Sequence, residues 1–199
     1  MKKSGGYRII LDLSQPFGGS VNDFIDKGCY SMKYSKFDDA VALVQKAGVG
    51  ALMGKHDIKS AFRLVPVRMA DWHLLGYCID DLYYFDVVLP FGCRSSPFLL
   101  CQFSQALHWI FSNSLGHDPL THYVDDYFFV GRPNSSQCLV YMTDFMRLCG
   151  NLGVPLADDK LELPIPINAF GNSHWPAGQT IALPSGRLAE IILLINECQ

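Results

Sequence analysis

Residues 120–131, LTHYVDDYFFVG, constrain the fold more than any other stretch. Val, Tyr and Phe at this density read as buried strands. Asp125 and Asp126 sit in the middle, and a carboxylate among apolar neighbours is costly without a partner. Either the acids form a hairpin turn, or a cation is expected between them. Aspartate is a common turn residue that tolerates unusual dihedrals, so a turn explains the stretch by itself. Asp80-Asp81, within YCIDDLYYFDVVLP at 77–90, is the internal comparison: a hairpin turn with nothing else pointing at it.

The rest of the chain supplies neighbours for that hairpin. YRIILDL at 7–13 is strand-like, and 14–36 is turn-rich and reads as a structured loop. FDDAVALVQKAG at 37–48 predicts a helix, with Ala40, Leu43, Val44 and Ala47 on one face and Gly48 closing it. ALMGKHDI at 51–58 predicts a strand. Residues 95–116 give the clearest helix: Ser96 as N-cap, Pro97 at the first position, Gly116 at the end. Leu100, Phe103, Leu107, Ile110 and Phe111 recur along it at helical spacing. A second capped helix follows at 135–153, then short strands and turns, and a helix near 185–196 opened by Ser185. Strand, helix, hairpin, helix is an α+β order, with helices on one face of an antiparallel sheet. It places Asp57, at the end of the first strand, near Asp125 and Asp126.

Composition enters as a filter. At 199 residues, half of them hydrophobic, the chain suits one domain with a real core. The seven cysteines (29, 78, 93, 101, 138, 149 and 198) form no CxxC pair. An odd, scattered set suits a reducing compartment with mostly buried thiols, without a disulfide framework or structural zinc. His117 and His122 have no cysteine partners nearby and read as surface or core residues. The first ten residues lack a signal-peptide core, and the apolar run Ile191 to Ile195 is too short to span a bilayer. The expected setting is intracellular, cytoplasm or nucleus, without membrane. Net charge is −3, which taken alone argues against nucleic acid. Residues 1–70, however, hold eleven Lys or Arg against six Asp (+5), and residues 71–199 hold five against thirteen acids (−8). The N-terminal third can face a polyanion; ordinary solvated lysines explain the charge equally well.

Three aspartates at one sheet end repel unless protonated, paired or bridged by a divalent cation. Mg²⁺ takes oxygen ligands and is held by one or two carboxylates plus substrate phosphates. Two such ions suit phosphoryl or nucleotidyl transfer. Three segments then fall in order: KHDIKSAFRLVPV (55–67), LPFGCRSSPFLLCQF (89–103) and HYVDDYFFVG (122–131). Together they resemble the palm motifs of reverse transcriptases: the Asp-x-x-x-Ala-Phe strand, the Leu-Pro-x-Gly-x-x-x-Ser-Pro loop and helix, and the Tyr-x-Asp-Asp box. YRIILDLS (7–14) resembles the fingers strand, and GVPLADDKLELP (153–164) the later lysine-bearing segment. SVNDFI, DDAVALV and LLGY…YYFDVVLPFG look like DIRS-like, tyrosine-recombinase retrotransposons in particular.

The resemblance implies a polymerase palm, a ferredoxin-like βαββα core, with partial fingers. Its divisions are partial fingers at 1–50, palm at 51–165 with a finger-like hairpin insertion, and a degenerate primer grip or thumb start at 166–199. The implied activity is RNA-directed DNA synthesis with two Mg²⁺ ions, Mn²⁺ being a possible substitute. Asp57 and Asp125 are the implied main ligands, with Asp126 in support and Ile58 offering a carbonyl. Phe62 matches the steric gate that excludes a ribose 2′-OH, although such a Phe alone is more often a core residue. Ser60 and Ala61 would line the triphosphate through backbone N–H groups. Arg8 matches a phosphate-contacting fingers arginine. Gly92 would let backbone approach nucleotide or template, and Phe91 would pack under the nucleotide. Arg94 is a candidate for template or phosphate, Tyr123 for template or primer, and Lys160 for proton donor to pyrophosphate. Implied partners are an RNA or DNA template-primer, dNTPs, and further polyprotein domains such as RNase H.

One motif departs from the pattern. Where the family has a Phe-Leu-Gly primer grip, this chain has AFGNSHWPAG at 169–178, with Phe170 and Gly171 in the corresponding place. The alternative expectation is therefore a catalytically dead or domesticated remnant that keeps the palm as a binding fold. An RNA-templated RNA polymerase is disfavoured by Phe62.

Overall fold

A computed structural model of the chain describes residues 9–116 and 118–166. Its elements run α1 (Phe37–Ala47), β1 (Leu52–Asp57), β2 (Gly76–Ile79), β3 (Leu82–Phe85), α2 (Ser96–Leu115), β4 (Leu120–Tyr123), β5 (Asp126–Gly131), α3 (Gln137–Leu152) and β6 (Glu162–Pro166). One sheet has the order β4-β5-β1-β6, antiparallel throughout. The β2–β3 hairpin stands apart as a two-stranded sheet. Without that hairpin, β1-α2-β4-β5-α3 is the expected α+β core with an added edge strand.

The core follows from alternation along β5. Tyr127 and Phe129, two residues apart, share one face of the strand and are fully buried. Phe111 of α2 and Phe145 of α3 meet them edge-on or tilted, with centroids 4.6–6.3 Å apart. The Tyr127 hydroxyl donates to the Ser104 carbonyl of α2 at 3.0 Å, so its one polar atom is satisfied. Leu100, Ser104, Leu107 and Phe111 form the buried stripe of α2. Each such aromatic contributes about 1.5–3 kcal/mol by burial. Helices α2 and α3 therefore fix the face of the sheet on which no acid lies.

Several boundaries differ from expectation. Ser95, not Ser96, precedes the first turn of α2, and Ser96 is inside and buried. Phe103 is partly buried, whereas Ile110 sits at the edge of the stripe, 37% exposed. Residues 9–13 form no strand: the Leu13 N–H turns back to the Leu11 carbonyl, and the Leu11 N–H donates to the Phe91 carbonyl, each at 2.9 Å. The thiols are less buried than expected, with Cys138 and Cys149 inside but Cys29 and Cys78 exposed. Among the described residues no helix is long and apolar enough to cross a membrane. Arg8, His117, Phe170, Gly171, Cys198 and the helix expected from Ser185 lie outside the described residues.

The loop 14–36 is structured, as expected. Asp23 accepts from the N–H groups of Gly18 and Ser20 and from the Ser20 hydroxyl. Buried Asn22 donates to the Gly92 carbonyl at 2.9 Å and accepts from the Arg94 N–H at 2.8 Å. The loop is thereby clamped onto segment 91–94.

Candidate active site

β1 and β5 pair so that Asp57 lies directly opposite Asp126. The β4–β5 turn comprises Val124 and Asp125, with Tyr123 opposite Asp126. Val124 has φ +57°, a left-handed conformation that a β-branched residue rarely holds. Strain of this kind persists where surrounding structure over-determines it. Here the Ile58 N–H donates to the Asp125 carbonyl at 3.0 Å, tying the turn to the end of β1. Asp80 and Asp81, by contrast, both have positive φ, +50° and +60°, between Ile79 and Leu82. That pair is a turn and nothing more. Asp126 is instead the first residue of a strand, and a turn does not account for its acid.

Two lysines complete the cluster. Lys160, in the short 3₁₀ turn Asp158–Lys160, hydrogen-bonds Asp57 Oδ2 through Nζ. Lys55 Nζ lies 3.3 Å from Asp57 Oδ1 and 3.5 Å from Asp126 Oδ1. The contact with Asp57 is charge against charge without hydrogen-bond geometry, and buried Oδ1 has no hydrogen-bond partner. The sequence reading missed Lys55. The available signal was alternation: Lys55 and Asp57 are two apart on one strand and project to one face.

The charges are unevenly satisfied. Burial pushes Asp57 up, but the nearby Asp126 carboxyl and the Lys160 and Lys55 ammoniums outweigh it and hold Asp57 below the ordinary carboxylate value. Asp126 carries the cost: burial first, then Asp57, raise it to about 6 against the pull of Lys55. Burial and the charge of Asp57 also raise Asp125. The cluster is short of positive charge, with an orphaned buried carboxylate oxygen, and its donors are hard oxygens. Hard oxygens of this kind are the donors a divalent cation such as Mg²⁺ takes. Among the described residues no group of three or more His, Cys, Asp or Glu side chains is arranged so that it could hold a metal ion by itself.

A stability test follows from Asp126. Its folded-state value exceeds the unfolded one, so ionisation costs stability as pH rises from about 4 to 6. The cost is complete above that window. With EDTA present, Asp126→Asn is expected to melt higher than the parent at pH 7.5, with the advantage gone at pH 4. A variant that melts lower at pH 7.5 would contradict the strained-acid account.

The neighbouring residues divide. Phe62 packs on Phe91 with centroids 4.5 Å apart, both partly exposed, so these two expected nucleotide-site residues are brought together. Ser60 has φ +52° and opens the 3₁₀ turn Ala61–Leu64, in which Ala61 is buried. Ile58 is 1% exposed, its side chain in the main core. Tyr123 is 54% exposed and stacks on Tyr34, a partner the sequence did not signal. Arg94 and Gly92 are both engaged within the chain. The Arg94 guanidinium hydrogen-bonds the carbonyls of Asn22 and Ile25 through one nitrogen, so it braces loop 14–36. At Gly92, φ is +105° and an added Cβ would meet the Leu11 carbonyl oxygen at 1.9 Å. The close approach that requires glycine here is to Leu11.

Sheet order, helices on one face and acids on a paired strand end define a polymerase-palm α+β fold. Solved reverse transcriptases share it. The foamy viral protease-reverse transcriptase in complex with double-stranded DNA superposes with a TM-score of 0.63 at 16% identity, over 82% of this chain and 26% of that one. The native prototype foamy virus protease-reverse transcriptase gives 0.60 at 17% identity, over 98% and 26%. A mutant of the latter gives 0.58 at 16%, over 81% and 20%. The fold is thus reverse-transcriptase-like, and the chain spans about a quarter or less of these neighbours. No family model and no curated protein matches the sequence.

Proposed function

We propose that this chain is the palm-bearing part of an RNA-directed DNA polymerase from a DIRS-like retrotransposon. The observation that carries the reading is the register of β1 against β5. It sets Asp57 opposite Asp126, with Asp125 at the adjoining turn. The chemistry joins a primer 3′-oxygen to the α-phosphorus of a dNTP and breaks the bond from that phosphorus to the β-phosphate bridge, releasing pyrophosphate. Bound Mg²⁺ would supply the positive charge that stabilises the attacking and leaving oxygens. Asp57 and Asp125 would hold it, with Asp126 behind them. The Phe62–Phe91 contact is the floor on which a deoxyribose would rest. Lys160, which reaches the acid cluster through Asp57, would give a proton to the leaving pyrophosphate.

Template-primer and dNTPs are the proposed partners, together with other domains of a longer polyprotein. A similar fold solved in complex with double-stranded DNA supports nucleic-acid binding. One observation favours the rival reading of a non-catalytic remnant: Asp57 is already neutralised by two lysines.

The sugar preference tests the Phe62 assignment. Phe62→Val is expected to raise the rNTP-to-dNTP ratio of kcat/KM by about 10–100-fold, the range over which pocket shape discriminates. Single-nucleotide extension of a primed template measures it, with a melting curve as control because Phe62 also packs against the core. Unchanged sugar selection in a folded variant removes Phe62 from the site.

A further inference from the structure

We propose that Lys55 is a resident competitor for the cation position on Asp57 and Asp126, and so sets how tightly the site takes a divalent metal. The inference rests on reading the three acids as a metal site. The pairing register places two carboxylates directly opposite each other, an arrangement that is destabilising without a counter-charge. Lys55 supplies it. Among the described residues it is the one cation in ion-pair contact with both acids. Lys160 engages Asp57 alone, and at the other oxygen, Oδ2.

The oxygen Lys55 faces on Asp57 is the one with the strongest claim to a metal. Oδ1 is buried and lacks a hydrogen bond, and the Lys55 ammonium stands 3.3 Å from it as a counter-charge. A divalent ion bound there would sit against Lys55 and be repelled by it. The lysine can leave: its side chain is 34% exposed, and an ammonium on a flexible stem is readily rehydrated. Metal binding is then an exchange of a divalent ion for an ammonium. The apparent affinity is reduced by the fraction of time Lys55 spends on the acids. Without metal the same contact keeps β1 and β5 from being pushed apart at their acidic end.

Mn²⁺ alone, titrated into the full chain and followed by the loss of the free-ion EPR signal, reads this out without activity. Lys55→Met keeps the apolar stem and removes the charge; it is expected to tighten the Kd about tenfold at low ionic strength, less at high salt. Lys55→Arg keeps the charge and is expected to stay near the parent value. Lys55→Gln serves the same purpose should the Met variant not fold. Tighter binding in the uncharged variants alone is the supporting result. If the parent binds Mn²⁺ and the uncharged variants bind it no more tightly, this inference falls and the metal site stands. If neither parent nor variant binds Mn²⁺, the inference falls together with the metal reading of the acids.

Discussion

Asp125→Asn is expected to lower Mg²⁺-dependent dNTP incorporation on a primed RNA template by about a thousandfold or more, corresponding to ~4 kcal/mol of lost transition-state stabilisation. Asp125 is the informative acid because it is the least entangled. Among the described residues no lysine or arginine stands in ion-pair contact with it, and burial with the charge of Asp57 raises its pKa. An amide of the same shape removes the charge and with it the cost of burying that charge. Activity should therefore vanish while the metal-free protein melts no lower than the parent. Asp57→Asn would confuse the two effects, since it strips Lys160 and Lys55 of a buried partner. A folded parent that incorporates nothing, with an equally inert Asp125→Asn, would establish the remnant reading. An active Asp125→Asn would move the chemistry away from these acids.

The elements with strong periodicity were legible in the sequence, and so was their meeting point. Phe37–Ala47, Leu52–Asp57 and the 120–131 hairpin lie within a residue or two of where alternation and helical spacing put them. The three ordered motifs pointed to Asp57, Asp125 and Asp126 before any geometry. What stayed hidden depends on contacts between residues far apart in the chain. Arg94 has the spacing of a template residue, yet its guanidinium is used by carbonyls about 70 residues away. Nothing near Arg94 in sequence signals that, because the acceptors are backbone atoms of a loop. Asn22 is hidden for the same reason: in SVNDF it reads as a turn residue, and its clamp on 92–94 is tertiary. Ser96 looks like the better N-cap, directly before Pro97, but the Leu99 N–H bonds the Ser95 carbonyl, which starts α2 one residue earlier. Lys55 was readable from strand alternation, but its role depends on Asp126, which only the β1–β5 register supplies.

The tertiary contact at Gly92 can be measured directly. Its φ of +105° would strain any other residue, and so would the +99° of Gly48. The two differ in surroundings: a Cβ on Gly48 meets nothing within 4 Å, whereas one on Gly92 lies 1.9 Å from the Leu11 oxygen and 3.0 Å from its carbonyl carbon. Leu11 cannot simply step aside. Its N–H is held by the Phe91 carbonyl, and the Gly92 carbonyl is held by Asn22. Gly48→Ala is then a strain-only control costing about 1 kcal/mol. Gly92→Ala adds a backbone clash and is expected to cost about 3–4 kcal/mol, lowering Tm by ~10 °C in a chain of this size. Thermal unfolding of the two alanine variants side by side gives the difference directly. Melting points within ~2 °C of each other would mean that Leu11 yields freely, which would return Gly92 to a role in approaching nucleotide. A large gap makes segment 91–94 a rigid joint between loop 14–36 and the palm, and Phe91, at its head, is held against Phe62 by the same joint. On the proposed polymerase reading, any Gly92 variant that still folds is expected to bind dNTP more weakly by loosening Phe91.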